Sequence, residues 1–150
     1  MGFIDTFFNI DVMLRVFPML IAGLKNTALL AVCTLLIGSL CGIGLCILRL
    51  YAPKPIGYLA VGFIDIFRAL PILVVLVLVY YALPFVGIRL SSFASAVLAL
   101  SLVLSSFTAE VFRSGIQAIP NGQTEAARAL GLHFPAILWK VILPQAWRIA

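Results

Sequence analysis

Residues 27–48 form an apolar run without a charged side chain, and this run limits the possible folds more than any other feature. A helix of about 20 apolar residues spans the hydrocarbon core of a bilayer. The composition agrees, because 64% of the residues are hydrophobic and 10% are charged, against about 25% charged in soluble domains. We therefore expect an all-α membrane protein, built as a bundle of several spanning helices.

Further spans follow along the chain. Pro71 should end a short helix, since proline lacks an amide donor and disfavours helical geometry in the residue before it. The second span is then expected at residues 72–86 and the third at residues 91–112, with Ser91 or Ser92 as the N-cap of the third.

The two ends of the chain differ from these spans. Residues 1–26 carry several phenylalanines and two acids, which predicts an amphipathic segment leading into the first span. Residues 27–150 are the expected transmembrane domain. A fourth span begins near residue 141 but is too short to cross a bilayer, so we expect the chain to be incomplete at its C-terminus.

Lysine and arginine in the connections predict the orientation. Arg49 and Lys54 follow the first span, whereas the second connection holds Arg89. The third connection contains Arg113, Arg128 and Lys140. Because basic residues are enriched in cytoplasmic loops, the first and third connections should be cytoplasmic and the N-terminus outside.

Residues 120–144 interrupt the apolar chain with a polar segment that has its own helical pattern. Residues 123–130 predict a short helix, Gly131 is placed to end it, and a second helix should follow from about Pro135. A plain connector between two helices needs only about 2–8 residues. We therefore interpret this segment as a cytoplasmic helix–glycine–helix docking element rather than a solvated connector.

This segment resembles the "EAA" loop of binding-protein-dependent ABC importer permeases. The matching residues are Glu125-Ala126-Ala127, Gly131 and, after nine intervening residues, Val141-Ile142-Leu143-Pro144, with Val141 where isoleucine is usual. Residues 67–71 and 110–123 are similar to the polar amino-acid branch of that family. Ala69 and Leu70 depart from the glycine and threonine usual there, which excludes a polar role for Leu70.

The resemblance implies a bacterial inner-membrane permease subunit of an ATP-driven importer for amino acids, or alternatively for another small polar solute. The implied partners are ABC ATPase subunits, a second permease subunit, identical or related, and an extracytoplasmic substrate-binding protein. This chain has no phosphate-binding loop motif. ATP and Mg²⁺ are accordingly expected on the ATPase, with no cofactor and no enzymatic activity on this chain. The residues expected to couple it to the ATPase are Gln123, Glu125, Ala126, Ala127, Arg128, Gly131, Leu143 and Pro144.

Charged side chains within the apolar regions suggest a second site. Asp65 and Arg68 are three residues apart and should meet on one helix face beside Pro71, either at the translocation path or gate or as an interfacial pair in which Arg68 snorkels. Glu110 and Arg113 have the same spacing, which fits an interfacial pair or a contact that positions the docking loop. Our hypothesis for the path or gate includes Asp65, Arg68, Pro71 and Glu110.

Other functional classes are poorly supported. The cysteines lie in one apolar run, without histidine or carboxylate at metal-ligand spacing, and are expected to pack as small apolar residues. His133 lacks a nearby catalytic partner and should cap a helix or lie on the surface. Acidic residues are too scattered for a membrane enzyme, and a docking loop argues against a passive channel. The net charge of +5 comes from basic residues at the ends of apolar runs, which does not predict nucleic-acid binding.

Overall fold

The computed structural model describes residues 9–149. The elements in this range are all helical, and the all-α fold class predicted from the sequence is confirmed. We number the helices α1 (Ile10–Tyr51), α2 (Lys54–Ala69), α3 (Ile72–Val77), α4 (Ser92–Gln117), α5 (Asn121–Ala129), α6 (Phe134–Ile137) and α7 (Leu143–Ile149). The contacts divide the chain between Cys33 and Thr34 into two units, and the packing and the site described below belong to the second.

Helix α1 begins well before the predicted first span. The Asn9 side chain accepts a hydrogen bond from the Val12 amide at 3.2 Å, as an N-cap does. Pro18 lies inside the helix without ending it. The predicted boundary between residues 26 and 27 therefore falls inside a continuous helix, because leucine, methionine, isoleucine and alanine favour helix on both sides of it. Residues 1–8 of the predicted amphipathic segment lie outside the described range.

The predicted break at Pro71 is confirmed. Helix α2 ends at Ala69, and Leu70 is extended, with φ −82° and ψ 135°. Helix α3 continues as a π turn, Leu78–Ala82, and a 3₁₀ turn, Leu83–Val86. The chain bends by 106° between the two helical segments on either side of Pro71.

Helix α4 begins as the sequence predicts, because the Ser91 hydroxyl accepts a hydrogen bond from the Ala94 amide at 3.2 Å. It extends beyond residue 112 to Gln117, since Arg113 bonds to both Glu110 and Gln117 at the spacings that stabilise a helix. Within the described residues, α1 and α4 are each long and apolar enough to span a membrane, and the bent pair would make a third span.

A buried apolar cluster joins the helical bundle to the segment that follows α4. It includes Cys46 of α1, Ile64 of α2 and Phe112 of α4, packed with residues that come after Pro120. The latter are Ala127, Ile137, Leu138, Ile142, Leu143 and Ala146. Residues 120–144, the predicted docking segment, are thus part of the core of this unit.

Helices α1 and α4 approach each other closely at two glycines four residues apart, a spacing of small residues that lets membrane helices pack closely. A Cβ atom on Gly42 would lie 2.6 Å from Thr108 Cβ and 2.7 Å from the Ser105 carbonyl oxygen, and one on Gly38 would lie 2.8 Å from Leu104 Cδ2. These separations are shorter than van der Waals contact, so the helices can pack this way only because the side chains are absent.

We expect Gly42→Ala to destabilise the protein by about 1–3 kcal/mol, the usual cost of overpacking a well-packed contact. Gly44→Ala is the matched control, since a Cβ there has no atom within 4 Å. Thermal unfolding in detergent should show a lower Tm for Gly42→Ala and an unchanged Tm for Gly44→Ala. Equal Tm values would contradict the close approach.

Candidate functional site

The segment after α4 folds as a helix, a left-handed glycine turn and a second helix. Gly131 has φ +77°, a conformation that strongly favours glycine. Its amide donates to the Arg128 carbonyl at 2.9 Å, and the Leu132 amide donates to the Ala127 carbonyl at 3.1 Å. These two bonds form a Schellman motif, which satisfies the free carbonyls at the end of α5. Gly131 therefore ends the helix as predicted.

Helix α5 packs against the bundle on one side and is open on the other. Ala127 is buried, whereas Gln123, Glu125, Ala126 and Arg128 are exposed. Leu130, at the end of α5, is 81% exposed. The coupling residues predicted from the sequence thus fall into a buried contact at Ala127 and an exposed face around Glu125 and Arg128.

Leu130 was not among the predicted site residues. Helical periodicity from Ala127 would place it on the buried face three residues later. However, α5 ends at Ala129, and the chain turns at Gly131 before that periodicity can continue. A large apolar residue directly before a helix-ending glycine is the signal that could have revealed its exposure.

The second half of the segment is one continuous helical stretch from Phe134 to Ile149, interrupted by a π turn at Leu138–Ile142. Pro144 marks no break in this stretch, which includes the predicted start of a fourth span near residue 141. Proline removes an amide and clashes with the carbonyl four residues earlier. The π turn, in which the Leu143 amide donates to Leu138, widens the helix and accommodates it. Leu143 is buried and Pro144 exposed.

The two ends of the segment are linked by glutamine side chains. Gln145 Nε2 donates to the Val141 carbonyl at 2.9 Å and to Gln123 Oε1 at 3.4 Å. The second of these bonds connects the start of α5 to α7. Together with the buried leucines and isoleucines, it holds the segment in a defined position on the bundle.

A second candidate site is a charged cluster around Glu110 in α4. Arg49 Nη1 donates to Glu110 Oε2 at 2.7 Å, and Arg113 Nε donates to Glu110 Oε1 at 2.9 Å. Arg68 Nη1 lies 3.7 Å from Glu110 Oε2. The predicted Glu110–Arg113 pair is therefore confirmed and belongs to a larger cluster of one carboxylate and three guanidinium groups.

The predicted pair between Asp65 and Arg68 is wrong. Helix α2 buries Gly57, Ala60 and Ile64, and Arg68, four residues after Ile64, extends this face toward Glu110. Asp65 is exposed and forms no ion pair within residues 9–149.

Arg49 was not predicted to join this cluster. Because it follows the first span and Glu110 comes near the end of the third, the predicted topology would have placed both on the same side of the membrane. Pro71 lies outside the cluster, at the N-cap of α3, and its contribution is the bend that follows Arg68.

The remaining candidate residues, the cysteines and His133, lie in surroundings that are typical of structural rather than catalytic residues. Cys46 is fully buried in the apolar cluster, as expected for a packing residue, while Cys33 is half-buried and Cys41 exposed. His133 is exposed and occupies the N-cap position of α6 without a capping bond from its side chain. Across the described part of the chain, histidine, cysteine and carboxylate side chains do not gather in groups of three or more.

Comparison with known proteins gives consistent matches. Residues 34–150 match the family described as binding-protein-dependent transport system inner membrane component. The probable glutamine ABC transporter permease protein GlnM of Bacillus subtilis (strain 168) is 33% identical over 141 residues, covering 94% of this chain and 65% of GlnM. The arginine transport system permease protein ArtQ of the same organism is 35% identical over 132 residues, covering 87% of this chain and 60% of ArtQ.

A solved structure supports the same relationship. The crystal structure of an amino acid ABC transporter with histidines matches with a TM-score of 0.79 and 37% identity, covering 91% of this chain and 64% of the matched chain. The chain spans less than two thirds of the length of these relatives.

Proposed function

Because the chain belongs to the family of binding-protein-dependent transport system inner membrane components, we propose that it is a membrane-spanning permease subunit of an ATP-driven amino-acid importer. The observation that carries this proposal is the segment 120–144. Its Glu-Ala-Ala sequence lies on a short helix that is closed by Gly131 and anchored on the bundle by Ala127. One face of that helix stays open for a partner.

We propose that this open face docks into a groove on a separate ABC ATPase. Glu125 and Arg128 offer charges of opposite sign, and Leu130 offers an apolar side chain that is 81% exposed. An exposed apolar residue within a polar rim is typical of a protein contact. ATP and Mg²⁺ would bind the ATPase, and hydrolysis would occur there. We assign Gln123, Ala126, Leu143 and Pro144 to shaping and anchoring the same loop.

The remaining partners follow from the transport cycle. A substrate-binding protein would deliver the solute from outside, and a second permease subunit, identical or related, would complete the path. Closure of the ATPase on ATP would push the docked loops, and the bundle would alternate between inward- and outward-facing states by rigid-body movement. Relatives named for glutamine and arginine support amino acids as the substrates, and another small polar solute is the alternative.

Uptake by the complete importer tests this function. The full-length permease is purified in detergent with its associated subunits, reconstituted in liposomes with its binding protein, and supplied with ATP inside and labelled glutamine, arginine or a neutral sugar outside. We expect the ATPase to co-purify and amino-acid uptake to depend on ATP. Recovery of the permease without an ATPase, or uptake of the sugar alone, would contradict the proposal.

We also propose that the loop is cytoplasmic and the N-terminus is outside, on the distribution of lysine and arginine. In a variant lacking Cys33, Cys41 and Cys46, a single cysteine at Gln123, which is exposed, should react with an impermeant maleimide only after the membrane is opened. A cysteine at Arg89, also exposed, is the opposite control and should react in intact cells. Labelling of position 123 from outside would reverse the topology.

A further inference from the structure

Glu110 is a carboxylate with which arginines from three helices interact. Arg49 comes from α1, Arg68 from α2, and Arg113 from α4. The side chains of Glu110, Arg49 and Arg113 are only 22%, 23% and 24% exposed, and that of Arg68 is 38% exposed. One negative and three positive charges give the cluster a net charge of +2, so the carboxylate is the group that makes this arrangement possible.

The three contacts are unequal. The Arg49 and Arg113 nitrogens lie 2.7 Å and 2.9 Å from the carboxylate oxygens, which are the distances of charge-assisted hydrogen bonds. The Arg68 nitrogen, at 3.7 Å, is beyond hydrogen-bond distance. Arg68 is also the most exposed of the three. Its contact with Glu110 is therefore the easiest of the three to break.

The Arg68 side chain has a second interaction partner besides Glu110, the ring of Phe107. Its guanidinium carbon lies 5.7 Å from the centre of the Phe107 ring, within the range of a cation–π contact. Phe107 precedes Glu110 by one turn of α4. The Arg68 side chain thus lies beside two groups that attract it, a carboxylate and an aromatic face.

The cluster also lies between the loop and the bend in the chain. Arg113 is one turn before the end of α4, after which the docking segment begins, and Arg68 immediately precedes the 106° bend around Pro71. Ile64 of α2 packs in the same buried cluster as Ile137 and Leu138 of the docking segment. A displacement of the loop would therefore be transmitted to the contact between α2 and α4.

We propose that Glu110 is a positioning residue for transport, holding Arg49 and Arg113 as a fixed pair and releasing Arg68 when the permease changes state. Release would let the end of α2 and the bend around Pro71 move relative to α4. This proposal rests on the proposed function, since it needs an importer driven by an ATPase.

The test compares charge-removing variants of the complete importer, with four measurements on each. These are the Tm of the permease, the amount of co-purified ATPase, the rise in ATP hydrolysis caused by loaded binding protein, and amino-acid uptake. Arg68→Gln should keep its Tm and its ATPase but lose at least tenfold in uptake and most of the stimulated hydrolysis. Arg68→Lys, which keeps the charge but loses the forked geometry, should fall between Arg68→Gln and the unmodified importer.

Two further variants separate positioning from stability, and a third is a control. Arg49→Gln removes one of the short bonds and should lower the Tm, which Arg68→Gln should not. Glu110→Asp keeps the negative charge. It is preferred to Glu110→Gln, which would leave three arginines without a counter-ion and could prevent folding. We expect Glu110→Asp to fold, bind the ATPase and transport more slowly. Lys54→Gln removes a positive charge from the exposed start of α2 and should transport normally.

The outcomes distinguish this proposal from the proposed function. Normal uptake by Arg68→Gln, or loss of the ATPase from that variant, would overturn the positioning role while leaving the importer assignment intact. If the unmodified permease recovers no ATPase and shows no ATP-dependent uptake, the importer assignment itself fails.

Discussion

Gly131→Val should release the ATPase from the permease while leaving the permease inserted in the membrane. Position 131 has φ +77°, which costs a residue with a side chain about 1 kcal/mol or more, and a β-branched residue most of all. A Cβ there has no neighbour within 4 Å, so the effect comes from the backbone and not from a clash. If this conformational cost must be met in the docked loop, the affinity for the ATPase drops about tenfold for each 1.4 kcal/mol.

The measurement for Gly131→Val is the amount of ATPase recovered with the purified permease, together with hydrolysis stimulated by loaded binding protein. Gly131→Asn is the matched control, because asparagine tolerates the left-handed conformation better than other residues with a side chain. It should retain most of the ATPase. Full recovery and full stimulation in Gly131→Val would show that this turn is not required for coupling.

Leu130→Ser should weaken ATPase binding by a comparable amount for a different reason. Because Leu130 is 81% exposed in the permease, its removal should not change the Tm. Burying a leucine in a partner's groove is worth about 1.5–3 kcal/mol, so the affinity should fall at least tenfold. Titration of the purified ATPase onto the reconstituted permease measures this directly.

Two comparison variants accompany Leu130→Ser. Leu130→Met conserves volume and apolar character and should bind nearly as well as leucine. Glu125→Lys should have a smaller effect than Leu130→Ser, since exposed ion pairs are typically worth less than about 1 kcal/mol. Unchanged binding by Leu130→Ser would exclude this residue as an apolar anchor and leave the charges of α5 as the alternative.

The parts of the fold that local chemistry determines could be predicted from the sequence. Ser91 caps α4, the break after Ala69 follows from Pro71, and Gly131 ends α5 in a left-handed turn. Each depends on one residue type and its nearest neighbours along the chain. The apolar spans follow equally directly from the cost of placing charge in lipid.

The contacts between distant residues could not be predicted in the same way. Spacing alone pairs Asp65 with Arg68, yet the burial of Ile64 turns Arg68 toward Glu110, which is remote in sequence. A residue three positions away competes poorly with a half-buried carboxylate on a neighbouring helix, because the less solvated partner attracts more strongly. Whether Leu130 is buried or exposed likewise depends on the residue at which α5 ends.

The π turn at Leu138–Ile142 determines which side of α7 faces the bundle. A π turn accommodates one more residue than an α turn, so everything after it is rotated by about 100° about the helix axis. That rotation directs Leu143 and Ala146 toward the bundle and leaves Trp147 on the outside. The Leu83-Pro84 pair follows a π turn in the same way. In both places the proline lacks the amide that a regular α-helical turn would use, and the π turn before it rotates the residues that follow about the helix axis.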